Sequence, residues 1–346
     1  MPEGKRFSLY PTAGVAWIAS NEEFLSTSKT VDYLKVYGSA GIMGINDYSL
    51  QGYNPFYLHE TLWTMSGGWN SGVASSTGEW VNIYKLVQTG TEDFVLPKRR
   101  FVNTGVQAQL FGKALDVEVN YFNEKNYDKI SNLGASTPSI IGSQQFLPAT
   151  NYGEDMRWGI DGLVQWNKSI GDFRYSIGGN AMYLRGKYLV VDEPAALPEY
   201  QKLTGTPMDA FMLYEAEGLF QTAGEITSRG VTQSWGTLQP GDIRYADLNG
   251  DDVVNEFDVH VTDYHSPRFF YGLNLSVGYK GFGIYALGQG EADGNVMLSN
   301  NRYFMVNGTG QNYSELMLDR FPVTNDYPRL TTVALNNYQY STFWVA

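Results

Sequence analysis

The stretch Val102-Asn-Thr-Gly-Val-Gln-Ala-Gln-Leu110, turned by Phe111-Gly-Lys-Ala114 into Leu115-Asp-Val-Glu-Val-Asn-Tyr121, decides the fold. In an extended chain successive side chains point to opposite faces. Val102, Thr104, Val106, Ala108 and Leu110 therefore share one face, and Asn103, Gly105, Gln107 and Gln109 the other. After Gly112-Lys113 the alternation resumes, with Leu115, Val117, Val119 and Tyr121 against Asp116, Glu118 and Asn120. The spacing predicts a tight hairpin with one apolar face and one wet face.

The same design recurs along the chain. Trp158, Ile160, Gly162, Val164 and Trp166 alternate with Asp161, Gln165 and Asn167. A Gly171-Asp172 turn then leads to Phe173, Tyr175, Ile177, Gly179, Ala181 and Tyr183, set against Arg174, Ser176, Gly178 and Asn180. Phe269, Tyr271, Leu273, Leu275, Val277 and Tyr279 oppose Gly272, Asn274 and Ser276, and Lys280-Gly281 turns into a weaker strand from Phe282. Fainter alternation marks 10–19 and 33–42, and a last strand is expected near Gln339. That makes roughly nine strands, each near the ~10 residues a tilted membrane strand requires.

The connections alternate between short and long. Turns near 112, 171 and 280 are very short and 20–32 is modest, whereas 43–98, 126–153, 188–265 and 291–338 are long. A membrane barrel has this parity, with short turns on the periplasmic side and long loops outside. A soluble sandwich has no reason to keep it. Trp158 and Trp166 lie on one face eight residues apart, about 26 Å along a strand at ~3.3 Å per residue. A ~40° tilt brings this to about 20 Å of height, near the ~25 Å between two aromatic girdles, so Trp158, Trp166, Tyr183 and Tyr279 are candidate membrane-interface aromatics.

Composition agrees. The chain has 346 residues, a net charge of −12, 25 Tyr and 38 Gly, with aromatics at 15% and no cysteine. So acidic a surface argues against nucleic acid, and no basic run exceeds Lys98-Arg99-Arg100. Disulfides and thiolate metal sites are excluded. With mean hydropathy −0.29 and no apolar run near the ~20 residues of a membrane helix, a membrane protein of this composition has to be a barrel. The start, Met1-Pro-Glu-Gly-Lys-Arg6, lacks a signal peptide's apolar stretch, and the end, Phe343-Trp-Val-Ala346, reads as mid-strand, so a piece of a longer protein is expected.

Chemistry-bearing motifs are few. Asp247-Leu-Asn-Gly-Asp-Asp-Val-Val-Asn-Glu-Phe-Asp258 matches the spacing of an EF-hand-type calcium loop, whose oxygens come from positions 1, 3, 5, 7, 9 and 12. The ligand candidates are Asp247, Asn249, Asp251, Val253 through its carbonyl, Asn255 and Asp258, with Val254 as apolar anchor. Asp252 stands where a Gly normally turns the chain, and Asp258 is shorter than the usual Glu. A bound structural calcium is expected; the alternative is a surface turn held by its own side-chain hydrogen bonds. No catalysis is expected: His59, His260 and His265 lack triad or ligand spacing, and Glu22-Glu23 or Glu215/Glu217 are chance pairs in a chain with 36 acidic residues. Tyr53, Phe56, Tyr57, Trp63, Trp69 and Trp80 crowd the first long loop and Trp235 lies in the third, where flat rings suit stacking on a sugar or peptide or docking a protein.

Gly241-Asp-Ile-Arg-Tyr-Ala-Asp-Leu-Asn-Gly-Asp251, Ser266-Pro-Arg268, Gly272-Leu-Asn274, Tyr279-Lys-Gly-Phe282 and Gln289-Gly290 together resemble the C-terminal barrel region of SusC-like (RagA-like) TonB-dependent outer-membrane transporters. Leu34-Lys-Val-Tyr-Gly38, Phe111-Gly-Lys-Ala-Leu115, Tyr121-Phe122, Asp128-Lys-Ile130 and Gly171-Asp-Phe-Arg-Tyr-Ser176 add to the likeness. The resemblance implies an all-β chain, an antiparallel transmembrane β-barrel fragment supplying under half of a barrel of about 22 strands. It implies outer-membrane import of oligosaccharides or peptides in a Gram-negative bacterium, energised by TonB through an N-terminal plug and assisted by a SusD-like surface lipoprotein. Plug and final strands are not expected within the chain; residues 1–346 read as one partial barrel domain, with 241–258 as a calcium-type loop inside an extracellular loop. A passive porin-like barrel and a secreted β-rich carbohydrate-binding or hydrolytic protein with a dockerin-like calcium loop are the rival readings.

Overall fold

A computed structural model describes residues 7–45, 57–71, 79–141, 146–298, 315–329 and 336–346. The chain divides into two compact units, one of residues 1–196 and 268–292, the other of 197–267 and 293–346.

The first unit is built from alternating strands. In chain order they are β1 (Thr12–Ile18), β2 (Val31–Gly44), β3 (Leu62–Ser71), β4 (Glu79–Gln88), β5 (Lys98–Leu110), β6 (Leu115–Ser131), β7 (Thr150–Ile170) and β8 (Phe173–Val190). The second unit carries β9 (Ala210–Tyr214), β10 (Ala216–Leu219), β11 (Thr232–Gln233), β12 (Ile243–Tyr245), β13 (Val253–Val254) and β14 (Val259–Tyr264), before β15 (Phe269–Tyr279) and β16 (Phe282–Ala292) return to the first. An eight-stranded sheet runs β1-β2-β5-β6-β7-β8-β15-β16, each neighbour antiparallel. Apart from the separate β3–β4 hairpin and the excursion through β9–β14, spatial order is chain order, an up-and-down meander.

Turn chemistry sets the register. Tyr279 pairs with Phe282, and Lys280 (φ 44) and Gly281 (φ 89) between them both take positive φ, as a two-residue turn of the I′ kind demands. Ile170 pairs with Phe173 across Gly171-Asp172, where Gly171 sits at φ 59. These turns hold each apolar row in phase with the next, since a slip of one residue would exchange the faces.

Two expectations are corrected. The last strand expected near Gln339 is absent: Asn336–Tyr338 and Thr342–Trp344 are 3-10 turns, and Trp344 is buried in the second unit's core. The first long loop is not without structure, because β3 and β4 pair within it.

Candidate functional site

Register sorts the sheet's side chains into two surfaces. Trp17, Val36, Val106, Val119, Gly162, Ala181, Tyr271 and Gly290 stand directly opposite one another from β1 to β16. Rows to either side add Val117, Tyr121, Ile160, Val164, Ile177, Leu273, Leu275 and Ile284, all on this face by parity. They are not packed away: Leu273 is 65% exposed and Ile284 73%. An apolar face this wide is foreign to a water-soluble monomer, whose contiguous apolar patches rarely exceed a few hundred Å².

The other face is a hydrogen-bonded polar wall. The Tyr37 hydroxyl donates to Glu118 Oε1 (3.0 Å) and stands beside the Asn120 side chain. Asn120 Nδ2 donates to Asp161 Oδ1 (3.0 Å) and Glu118 Oε1 (3.2 Å). Toward the turns, Gln109 and Asn167 donate to the two oxygens of Asp116 (2.9 and 3.2 Å), and Ser176 to Asn167 (2.6 Å). Toward the long loops, Arg99 pairs with Glu124 (3.0 Å), and Lys129 with the buried Asp155 (2.7 Å), which Asn126 also contacts (2.7 Å). Alternation along each strand predicts the polarity of this face but not its partners, because the bonds join residues on different strands.

The four candidate interface aromatics lie on the apolar face by parity. Trp158 and Tyr183 lie toward the long connections, Trp158 opposite Arg185 and Tyr183 opposite Ile160 and Phe269. Trp166 and Tyr279 lie at the turn end, where Trp166 meets Phe111 with ring centroids 6.2 Å apart.

The loop aromatics fare differently. Tyr57, Trp63 and Trp69 are exposed, the latter two on β3, and Trp80 lies on β4 opposite Asn70. Tyr53 and Phe56 lie outside the described residues. Trp235 is no free recognition residue: it packs on the second unit's core, edge-on to Tyr214 (4.8 Å) and Tyr245 (5.7 Å). Loop aromatics split in this way because a long connection that builds its own core consumes some of them.

That core joins Tyr214, Leu219, Ile243, Tyr245, Val254, Met317 and Trp344, fixed by polar groups that the sequence did not flag. Arg329 donates to both oxygens of Asp242 (2.7 and 3.2 Å), and Asn337 to one of them (3.0 Å). Burial pushes the Tyr214 phenol up to about 12, with Glu256 and Asp258 adding to the shift; burial raises Tyr245 as well. Glu217 is held between Arg229 (3.2 Å) and Arg244 (3.3 Å), and Glu215 beside His260 (3.3 Å), so neither faces the other across a cleft as an acid and base would.

The Asp247–Asp258 loop is a chain of tight turns. Val254 is fully buried, and Asp252 takes φ 64, a left-handed value that a Gly adopts more easily. Its oxygens, however, are turned onto its own backbone. Asp247 accepts from the amides of Gly250 (2.7 Å) and Asp252 (2.8 Å), Asn249 from Asp251 (3.0 Å) and Asp251 from Val253 (2.9 Å). Asp258 accepts from Leu248 and Asn255 (2.8 Å each), and Asn255 from Phe257 (2.8 Å) while donating to the Val253 carbonyl (3.2 Å). Among the described residues no group of three or more His, Cys, Asp or Glu side chains could hold a metal ion.

No protein-family model matches the chain. Two receptors of Formosa agariphila, TonB-dependent receptor P3 and TonB-dependent receptor P26, are each 23% identical over 94% of it. Over nearly all its length this chain resembles TonB-dependent receptors. It spans 32% of the length of those receptors, so the TonB-dependent-receptor likeness is to a part of each. Its fold is that of the solved RagAB peptide transporter, with a TM-score of 0.69 at 18% identity, covering 97% of this chain and 35% of that one. The same transporter in its closed-closed state matches 100% of the chain at 17% identity and a TM-score of 0.69. These similar proteins are receptors and transporters, not enzymes.

Proposed function

We propose that this chain is part of an outer-membrane β-barrel importer of the SusC/RagA type, driven through TonB. Its apolar face meets hydrocarbon, its polar wall lines the passage, and its long connections lie outside the cell, where they contact substrate and a SusD-like lipoprotein lid. The observation that carries this reading is the eight-strand separation of an uncovered apolar face from a hydrogen-bonded polar one. Resemblance to TonB-dependent receptors supports the energy source. The RagAB transporter is named for peptides, which supports peptide cargo, and the exposed Trp63 and Trp69 suit stacking on either a peptide or an oligosaccharide. Calcium in the Asp247–Asp258 loop is a separate proposal that rests on ligand spacing alone.

Uptake of a labelled peptide library and a labelled oligosaccharide panel by cells expressing the full receptor tests this. Uptake should stop when the proton-motive force is dissipated. Uptake that continues would identify a passive porin-like barrel instead.

A further inference from the structure

The apolar face ends, toward the long connections, in a row of cations. Arg100 of β5 stands directly opposite Lys125 of β6, Lys125 opposite Met156 of β7, and Met156 opposite Lys187 of β8. One step nearer the turns, Trp158 stands opposite Arg185. Direct pairing puts all of these on the same face as Val119 and Ile160. Arg100 and Arg185 are exposed. Lys125 pairs with Glu154 (2.6 Å), but no carboxylate of the described residues pairs with Arg100, Arg185 or Lys187; Arg185 instead donates to the Tyr183 hydroxyl (2.6 Å) and lies over its ring.

Within this row only Arg100 and Lys125 stand directly opposite as like charges, a contact that destabilises a sheet and that Glu154 relieves on the Lys125 side; Arg100, Arg185 and Lys187 are left as cations in a chain of net charge −12. The arrangement makes physical sense if an anion bridges the row. Three strand spacings separate Arg100 from Lys187, about 14 Å, the scale of a large multiply charged headgroup.

Just turnward of Arg185 lies an apolar depression. It opens where Gly162, Gly179 and Ala181 leave the face thin, between Ile160 and Val164 on one side and Tyr183, Phe269, Tyr271 and Leu273 on the other. A charged row directly above an apolar hollow matches the two ends of one lipid.

We propose that this rim binds a phosphate-bearing glycolipid of the outer leaflet, with phosphates on Arg100, Arg185 and Lys187 and an acyl chain in the Gly162/Gly179/Ala181 depression. The inference rests on the membrane orientation given under Proposed function. Arginine and lysine hold phosphate oxygens by charge-assisted hydrogen bonds, and the Trp158 and Tyr183 rings sit at the level where headgroup gives way to hydrocarbon.

The test uses the full receptor, stripped of lipid and titrated in mild detergent with purified lipopolysaccharide, bound glycolipid being counted by native mass spectrometry. The Arg185→Gln/Lys187→Gln variant should bind it roughly tenfold or more weakly, as loss of charge-assisted contacts implies. Dephosphorylated lipopolysaccharide should bind wild type as weakly, and inorganic phosphate alone should produce no thermal shift. Arg157→Gln, at the same height on the polar face opposite Glu124 and Gly186, should bind like wild type. Equal binding by wild type and the double variant overturns the inference, as does a thermal shift with phosphate alone. Vesicle insertion is measured alongside: a receptor that inserts but whose double variant keeps its glycolipid refutes this site alone, whereas one that never inserts refutes the membrane reading and the site with it.

Discussion

Tyr37 lies across Gly105, its ring occupying the space that any larger residue would claim, and so reaches Glu118 one strand farther on. A Cβ built at Gly105 would stand 2.7 Å from Tyr37 Cζ, while the hydroxyl donates to Glu118 at 3.0 Å. The absence of a side chain on β5 thus lets β2 and β6 be joined across it, stiffening the polar wall.

Gly105→Ala should therefore force the Tyr37 ring away and cost about 1–3 kcal/mol, the usual range for overpacking. Denaturant unfolding of the refolded receptor measures it. Combined with Tyr37→Ser, which removes one of the two groups in that space, the Asn120 side-chain oxygen being the other, the alanine should cost less than it does alone. Simple additivity would show that the two residues do not compete.

Arg329→Ala should destabilise the second unit by about 3–5 kcal/mol, because it strands a buried carboxylate on Asp242, which is 1% exposed. Limited proteolysis between residues 197 and 267 should accelerate, while the eight-stranded sheet stays resistant.

The second unit should also loosen at high pH. Tyr214 titrates at about 12 in the fold against about 10 in an unfolded chain. A raised phenol pKa contributes stability that is complete below pH ~10 and falls away as pH climbs toward the folded value. Near-ultraviolet circular dichroism should hold to about pH 10 and decline above it, and Tyr214→Phe should flatten that decline.

Calcium and EDTA should give the same melting temperature if the Asp247–Asp258 loop is held by its own amide bonds, and Asp258→Ala should then lower stability in both. A rise of several degrees with calcium, lost in Asp247→Ala/Asp251→Ala, would show instead that the carboxylates turn inward around an ion.

Strand parity was legible wherever a run was long and unbroken. Val102 to Tyr121 and Trp158 to Tyr183 read directly, because a period of two survives any twist of the sheet. The β3–β4 hairpin was hidden by its own irregularity: pairing shifts between Met65 and Gly68, which breaks the phase by which alternation is recognised. Trp235 and the terminal Trp344 were misread for a different reason. Both serve a core assembled from segments far apart in sequence, and local pattern carries no trace of such long-range contact. The Asp247–Asp258 spacing suits Asx turns and calcium cages alike, since both require the same residues; where the oxygens point was not written in it.

The most direct measurement uses the absence of cysteine from these 346 residues, any cysteine elsewhere in the full receptor being replaced by serine. Single cysteines placed in turn from Asp116 to Tyr121 in the full receptor, spin-labelled and reconstituted into bilayers, report exposure to apolar oxygen against a water-soluble nickel chelate. The account predicts strict alternation: Val117, Val119 and Tyr121 oxygen-accessible, Asp116, Glu118 and Asn120 nickel-accessible. Nickel access at every position, or oxygen access without alternation, would contradict it.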